Sequence, residues 1–327
     1  EFTHYLPRRA WRELIASCTH HLSVTGNPLC ALPYARLGLP FLAWVATPWQ
    51  ADRVDRVRGF SPPRRLLDRV VNAPVLRRLE RQVLRAPRGR ILALSSYTAR
   101  NLEAIAGRPM EGVLLMPVDT SVFHPAPDLQ TPWRIGFSGR YGDPRKNVDL
   151  LLESVRLLVQ AGHPVQLELA GEPEAMFLQQ RLTDLGIAER VRCHPRLDHP
   201  QLARVLQGLD LFVIPSHQEG LCIAALEAMA CGVPVVSTRC GGPEEFVLEG
   251  STGQLVEAEP EAMARAIQAI CGERAIQRRL GTGAAAWVRE HASPQSARRL
   301  FRRELATLQE SGVAAFAQAG LVGPGRA

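Results

Sequence analysis

Short apolar runs and longer helical periods alternate along this chain. In the first third, residues 20–25, 40–46 (PFLAWVA), 91–95 and 113–116 are strand candidates. The second of these is apolar enough to be buried on both faces. Apolar positions three and four apart predict helices at 9–16, 28–37 and 98–106. The stretch 53–85 is basic and helical in part, with breaks expected at Pro62, Pro63 and Pro74. Residues 117–131 are rich in Pro and Asp, lack apolar periodicity and read as a linker.

Beyond the linker the pattern sharpens. Strands are predicted at 133–138, 165–170, 191–194, 211–215 and 233–237. Helices are predicted at 148–160, 176–185, 200–206 and 222–231, three of them closed by Gly162, Gly186 and Gly232. Residues 260–308 read as mostly helical, and the Ala- and Gly-rich tail after Ser311 is expected to fray. This alternation predicts an α/β protein with a doubly wound parallel sheet in its second half. The expected domains are 1–116 and 132–292, joined by the linker 117–131 and followed by a helix at 293–310 and a flexible tail at 311–327.

Composition supports a two-domain globular chain: 327 residues, of which 46% are hydrophobic. A net charge of +7, densest between Arg53 and Arg100, suits an anionic substrate or an anionic membrane surface. It does not point to nucleic acid, because no helix-turn-helix signature, zinc-finger spacing or aromatic-basic interleaving accompanies it. The seven cysteines form no CxxC pair, so metal binding has no support. Cys193, Cys222, Cys231 and Cys240 lie in or beside apolar runs and are expected in the core, which suits a reducing cytoplasm. The sequence shows no signal peptide and no apolar stretch of membrane-spanning length.

The candidate chemistry gathers in two segments. The segment 216–247 holds Glu219 in a Gly-containing turn and Glu227 in a helical pattern, then a strand and a Gly241-Gly242 turn with Glu244. Two carboxylates so spaced would lie about 12 Å apart on a continuous helix. That is beyond the roughly 5–9.5 Å of a hydrolytic pair, so two hydroxyl-rich groups of one extended ligand fit them better. The plain alternative for Glu227 is a solvated helix position, against which stand the apolar Ile223, Leu226, Met229 and Ala230. The segment GFSGRYGDPRKNVDLL holds Lys146, the one lysine in an arginine-rich chain. Together with Gly139, Arg140 and the start of the 148–160 helix it would suit a diphosphate. Neither GxxxxGK[ST] nor GxGxxG is present, which disfavours a Walker A site or a nicotinamide or flavin site. His217 reads as lining the crevice or holding the loop, His20, His21 and His194 are unassigned by pattern, since a lone histidine is more often structural, and Asp143 and Asp210 are weak metal-ligand candidates.

In this order, GFSGRYGDPRKN, LELAGE, LFVIPSHQEG, LEAMACGVPVVST, GGPEE and GQLV resemble the retaining nucleotide-sugar glycosyltransferases of the GT-B fold, the group called family 4. The resemblance covers about 94–301 and includes LALSSYTARNLE and VDTSVFHP. It implies two facing Rossmann-like domains, the N-terminal one acceptor-side and here truncated, with a terminal helix crossing back. It carries Arg140 and Lys146 onto a donor-diphosphate pair and Glu219 onto a carboxylate near the donor sugar. Glu227 falls on a ribose contact, and Gly139, Gly220, Leu221 and Cys222 on backbone around phosphate and sugar. Residues 191–197, His194 among them, would border the base. The implied catalytic residues are Arg140, Lys146 and Glu219.

The resemblance further implies retaining transfer from a UDP- or GDP-sugar, without cofactor or metal, to a saccharide or lipid-linked acceptor. The setting it implies is cell-surface polysaccharide or glycolipid synthesis at the cytoplasmic face of a membrane. One departure is Thr47 after PFLAWVA, where many members carry a His-Asp pair. Two other readings stay open: a nucleotide-sugar epimerase, and a truncated protein that only binds a sugar nucleotide.

Overall fold

The computed structural model of the chain describes residues 5–6, 9–51, 57, 60–126, 133–171 and 175–318. The chain divides into two compact units, Glu1–Leu115 with Arg298–Ala327, and Met116–Ala297. Each is an α/β unit built on its own parallel sheet, one of four strands and one of six, an architecture consistent with a GT-B-like fold of two Rossmann-like domains.

In the first unit, strands β1 (Leu22–Thr25), β2 (Phe41–Val45), β3 (Gly89–Ala93) and β4 (Gly112–Val113) lie side by side in chain order. The apolar run in β2 is explained by burial on both faces: Phe41, Ala43 and Val45 pack on one face with Ile91 and Ala93 and with Leu76, Leu79 and Val83 of the helix Ala73–Leu84, and Leu42 is buried on the other.

The expected proline breaks are corrected. Pro62 and Pro63 open a helix, Pro62–Leu67, at positions whose N–H groups have no helical acceptor. A π-helical turn at Asp68–Asn72 then leads into Ala73–Leu84, with Pro74 in its first turn. The wider turn gives the Pro74 ring room, so the helical path continues through it. Residues 52–56 and 58–59 of the basic stretch lie outside the described residues.

In the second unit the strands are β5 (Trp133–Ser138), β6 (Val165–Gly171), β7 (Val191–Pro195), β8 (Leu211–Ile214), β9 (Val235–Thr238) and β10 (Gly253–Val256). Their spatial order is β10-β9-β8-β5-β6-β7, all parallel. Chain direction across the sheet therefore reverses at β5, which pairs with β6 on one side and with β8 on the other. That is the topological switch point of a doubly wound sheet, where the loops leaving adjacent strands part and open a crevice. Ile135, Leu167, Leu169, Leu211, Val213 and Val236 form the centre of its core.

Several local expectations change. GQLV forms β10, a strand the apolar pattern alone did not mark. Cys193 is exposed because β7 is an edge strand, whereas Cys231 and Cys240 are buried and Cys222 is partly so. The linker expected from 117 is tied down in its first part. Val118 N–H donates to Ala292 O at 2.8 Å and Phe123 is buried, while 127–132 lie outside the described residues. The last helix, Pro294–Gln318, continues past 311, where a flexible tail was expected, and residues 319–327 lie outside the described set. From Arg298 its residues group with the first unit, where buried Glu304 accepts from Arg90 Nε at 2.8 Å.

Candidate functional site

The loops leaving β5 and β8 meet at the switch point. Lys146 Nζ lies 2.7 Å from Glu219 Oε1 across 73 residues of chain, and Ser216 Oγ donates to the same oxygen at 2.6 Å. Both bonds fall on Oε1, so among the described residues Oε2 has no hydrogen-bond partner. Glu219 is buried and Lys146 partly so, which keeps their attraction stronger than a surface pair's. The pair is held by backbone. His217 N–H donates to Arg145 O at 2.7 Å, joining the two loops, and the residue itself is exposed.

A third loop, after β9, closes the floor. Glu219 N–H donates to Cys240 O at 2.8 Å, and Gly242 N–H donates to Glu219 O at 2.9 Å. Gly242 is required here, since a Cβ on it would lie 2.3 Å from Gly220 O. Glu244 does not reach into the site. Its Oε1 accepts from Gly241 N–H at 2.9 Å and fixes the turn. On the other side, Gly139 N–H donates to Ala170 O at 2.9 Å, and a Cβ on Gly171 would meet Gly139 O at 2.0 Å. Gly171 was not singled out from the sequence, although it stands in the LELAGE motif.

Arg140 is solvent-facing, with its side chain 72% exposed, and it bonds Asp143 Oδ2 at 3.0 Å. Asp143 also takes Arg145, and these guanidinium contacts hold its carboxyl below the usual range. Asp143 thus organises arginines and is not a metal ligand here. Asn147, in the left-handed region at φ 46°, turns the chain into the helix Val148–Gln160.

Cys222, at φ 69°, similarly precedes the helix Ile223–Ala230. Gly220, buried Leu221 and Cys222 therefore lie between Glu219 and a helix start, and the N-terminal end of a helix favours an anion. Glu227 lies in the second turn of that helix, half-buried. Desolvation pushes its carboxyl up to about 7, with His199 opposing the shift.

Not every predicted site residue joins this cluster. His194 Nε2 lies 2.6 Å from Oε2 of buried Glu168, in a separate cavity of about 400 Å³ lined by Arg134, Arg192, Gln201 and Arg204. Asp210 sits at the opposite end of β8 and binds Arg274 at 2.6 Å. His21 is structural, with Nδ1 3.1 Å from Pro40 O. Among the described residues no group of three His, Cys, Asp or Glu could hold a metal ion. No helix of the described residues is long and apolar enough to cross a membrane. Ser216 is the site residue that sequence reasoning missed. Its only signal is a hydroxyl three residues before Glu219 at the end of a buried strand.

Residues 132–273 match the family model described as Glycosyl transferases group 1. A D-inositol 3-phosphate glycosyltransferase of Thermomonospora curvata is 31% identical over 239 residues, covering 64% of this chain and 55% of that protein. One of Geodermatophilus obscurus is 32% identical over 260 residues, 72% of this chain and 57% of that protein. The chain thus spans about half the length of the curated relatives it matches. In fold, it resembles sucrose-phosphate synthase of Thermosynechococcus elongatus, with a TM-score of 0.74, 20% identity and coverage of 91% of this chain and 77% of that one. It also resembles HepE of Anabaena in complex with UDP, with a TM-score of 0.73, 18% identity and coverage of 90% and 81%. The chain is therefore related to GT-B-fold glycosyltransferases.

Proposed function

We propose that this protein transfers a sugar, with retention of anomeric configuration, from a UDP- or GDP-linked donor to a saccharide or glycolipid acceptor. The observation that carries the reading is the Lys146–Glu219 pair at the switch point, with Oε2 of Glu219 uncommitted. Lys146 has three N–H donors and spends one on Glu219, so the others can turn to a phosphate oxygen. Arg140, exposed beside it, would add a second cation. Backbone N–H groups of Gly220, Leu221 and Cys222 at the start of Ile223–Ala230 would face the same diphosphate.

Glu219 Oε2 would accept from donor-sugar hydroxyls, and Glu227 from those of the ribose. In the step itself, the bond between the anomeric carbon and the phosphate oxygen breaks. The acceptor oxygen bonds that carbon on the same face, and its proton passes to the departing phosphate. Lys146 and Arg140 would stabilise the negative charge that develops there. The UDP held by the Anabaena structure and the names of the curated relatives support the donor and reaction classes.

Isothermal titration of UDP and GDP, without metal, into the protein and into Lys146→Ala is the test. Binding that is lost in the variant is expected, and it names the base. Equal binding by both proteins would remove Lys146 from the site and sink the reading.

A further inference from the structure

In the second unit, one face of the sheet carries charge where a buried strand would carry apolar residues. The register pairs Gly136 with Glu168, Glu168 with Arg192 and Ala170 with His194. Side chains alternate along a strand, so Arg134, Glu168, Arg192 and His194 share one face, while Ile135, Leu167 and Leu169 enter the core on the other. The helix His199–Gln207 borders the polar face. Its Gln201, Arg204 and Val205, three and four residues apart, and Gly208 at its end close the cavity of about 400 Å³ in which His194 lies. This cavity runs toward Arg134 and Gly208, which precede the bodies of β5 and β8, whereas Lys146 and Glu219 follow the carboxyl ends of the same strands. The two sites are therefore separate.

The cations of the cavity are not committed to the fold. Among the described residues, the guanidinium groups of Arg134, Arg192 and Arg204 have no hydrogen-bond or ion-pair partner. Nε of half-buried Arg134 is shielded from solvent and unpaired, a desolvation cost that an acceptor arriving in the cavity would offset. The one carboxylate lining the cavity, Glu168, is buried and holds His194 Nε2 on its Oε2 at 2.6 Å. Among the described residues its Oε1 accepts no hydrogen bond. Three guanidinium forks beside a carboxylate that is already hydrogen-bonded favour a ligand with several anionic oxygens. The open Oε1 favours a hydroxyl on the same ligand. A phosphate monoester of a small hydroxyl compound has both.

We propose that this cavity binds a phosphate monoester bearing a hydroxyl group. Arg134, Arg192 and Arg204 hold the phosphoryl oxygens and Glu168 Oε1 accepts from the hydroxyl. The proposal goes beyond the sugar-transfer reading and uses neither Lys146 nor Glu219. It is tested without nucleotide, donor or acceptor, so either can fail while the other stands.

The test is isothermal titration of glycerol 3-phosphate, inorganic phosphate and succinate into the whole chain at low ionic strength. Circular dichroism and thermal melting verify that each variant is folded. Glycerol 3-phosphate is expected to bind most tightly. Arg134→Gln/Arg204→Gln should weaken both phosphates by about a hundredfold. Arg192→Gln, on the exposed edge strand, should weaken them by about tenfold and serves if the double variant does not fold. Glu168→Gln should shrink the preference for glycerol 3-phosphate and leave inorganic phosphate bound at least as tightly, a split that a merely structural role would not produce. Lys146→Ala should bind both phosphates as the parent does. Binding lost in Lys146→Ala and kept in the arginine variants would place the anion in the switch-point crevice and overturn the proposal. Absence of binding overturns it as well. Succinate or inorganic phosphate bound as tightly as glycerol 3-phosphate would remove the phosphoryl or the hydroxyl contact, and the monoester assignment with it.

Discussion

Strand β8 has a buried carboxylate beyond each end, and the two are bonded differently. Asp210, just before the strand, spends both oxygens on its own fold. Oδ1 takes Arg274 at 2.6 Å and Oδ2 takes Arg134 N–H at 2.9 Å. Glu219, on the loop after the strand, takes Lys146 and Ser216 on Oε1 alone. A saturated pair locks a helix to a sheet. A half-committed carboxylate beside an ammonium with donors to spare is arranged for something that arrives. Burial and an opposite charge are therefore poor guides to function by themselves; the count of unused lone pairs separates the two ends.

Asp210→Ala should have the largest effect. Removing the buried carboxylate deletes two charge-assisted hydrogen bonds, one from Arg134 N–H and one from the partly exposed Arg274, and costs about 3–5 kcal/mol, read as a lower midpoint in chemical denaturation. Nucleotide affinity of the folded variant should not change. If affinity fell with stability intact, the contrast between the two ends of β8 would collapse.

Glu227 comes next. Its carboxyl ordinarily titrates near 4.5 and is pushed up to about 7 in the fold, so the folded chain holds a proton that the unfolded chain has released between these values. This group's stabilisation is complete on the acid side and is lost as pH rises through about 7. It amounts to about 3 kcal/mol. Compared from pH 4.5 to 8, the denaturation midpoint of the protein should fall relative to that of Glu227→Gln as pH rises, the gap opening between about 4.5 and about 7. Nucleotide affinity should move the other way, rising relative to the variant as the carboxylate forms. A flat difference would show that Glu227 meets no hydroxyl.

Lys146→Ala should weaken nucleotide binding by about a hundredfold, the worth of charge-assisted hydrogen bonds. Arg140→Ala should have the smallest effect, about fivefold in affinity, erased by high salt because the side chain is solvent-facing. An effect larger than that of Lys146→Ala would reverse the ranking drawn from burial.

Much of this site was legible in the sequence because its parts are local. Lys146 is unique among arginines, and Glu219 sits between a buried strand and a Gly turn. What periodicity does not carry is which strand neighbours which. The pairing of β5 with both β6 and β8 places Lys146 against Glu219, and no local pattern encodes it. The partner of His194 was hidden for a similar reason, since Glu168 lies on the adjacent strand. β10 is four residues long, too short for a period to emerge, and Pro74 follows a π turn that composition does not announce.

The ion pair joining positions 146 and 219 also fixes when this site comes into being. A chain emerging from the ribosome at about 5–20 residues per second exposes Lys146 several seconds before Glu219. Throughout that interval the ammonium has no carboxylate to meet, and the floor formed by Gly241 and Gly242 does not yet exist. A ligand that needs all three loops can therefore recognise only a molecule whose central strands have already been inserted in order. Occupancy of the crevice would then act as a certificate of assembly, stabilising finished copies over late intermediates by mass action.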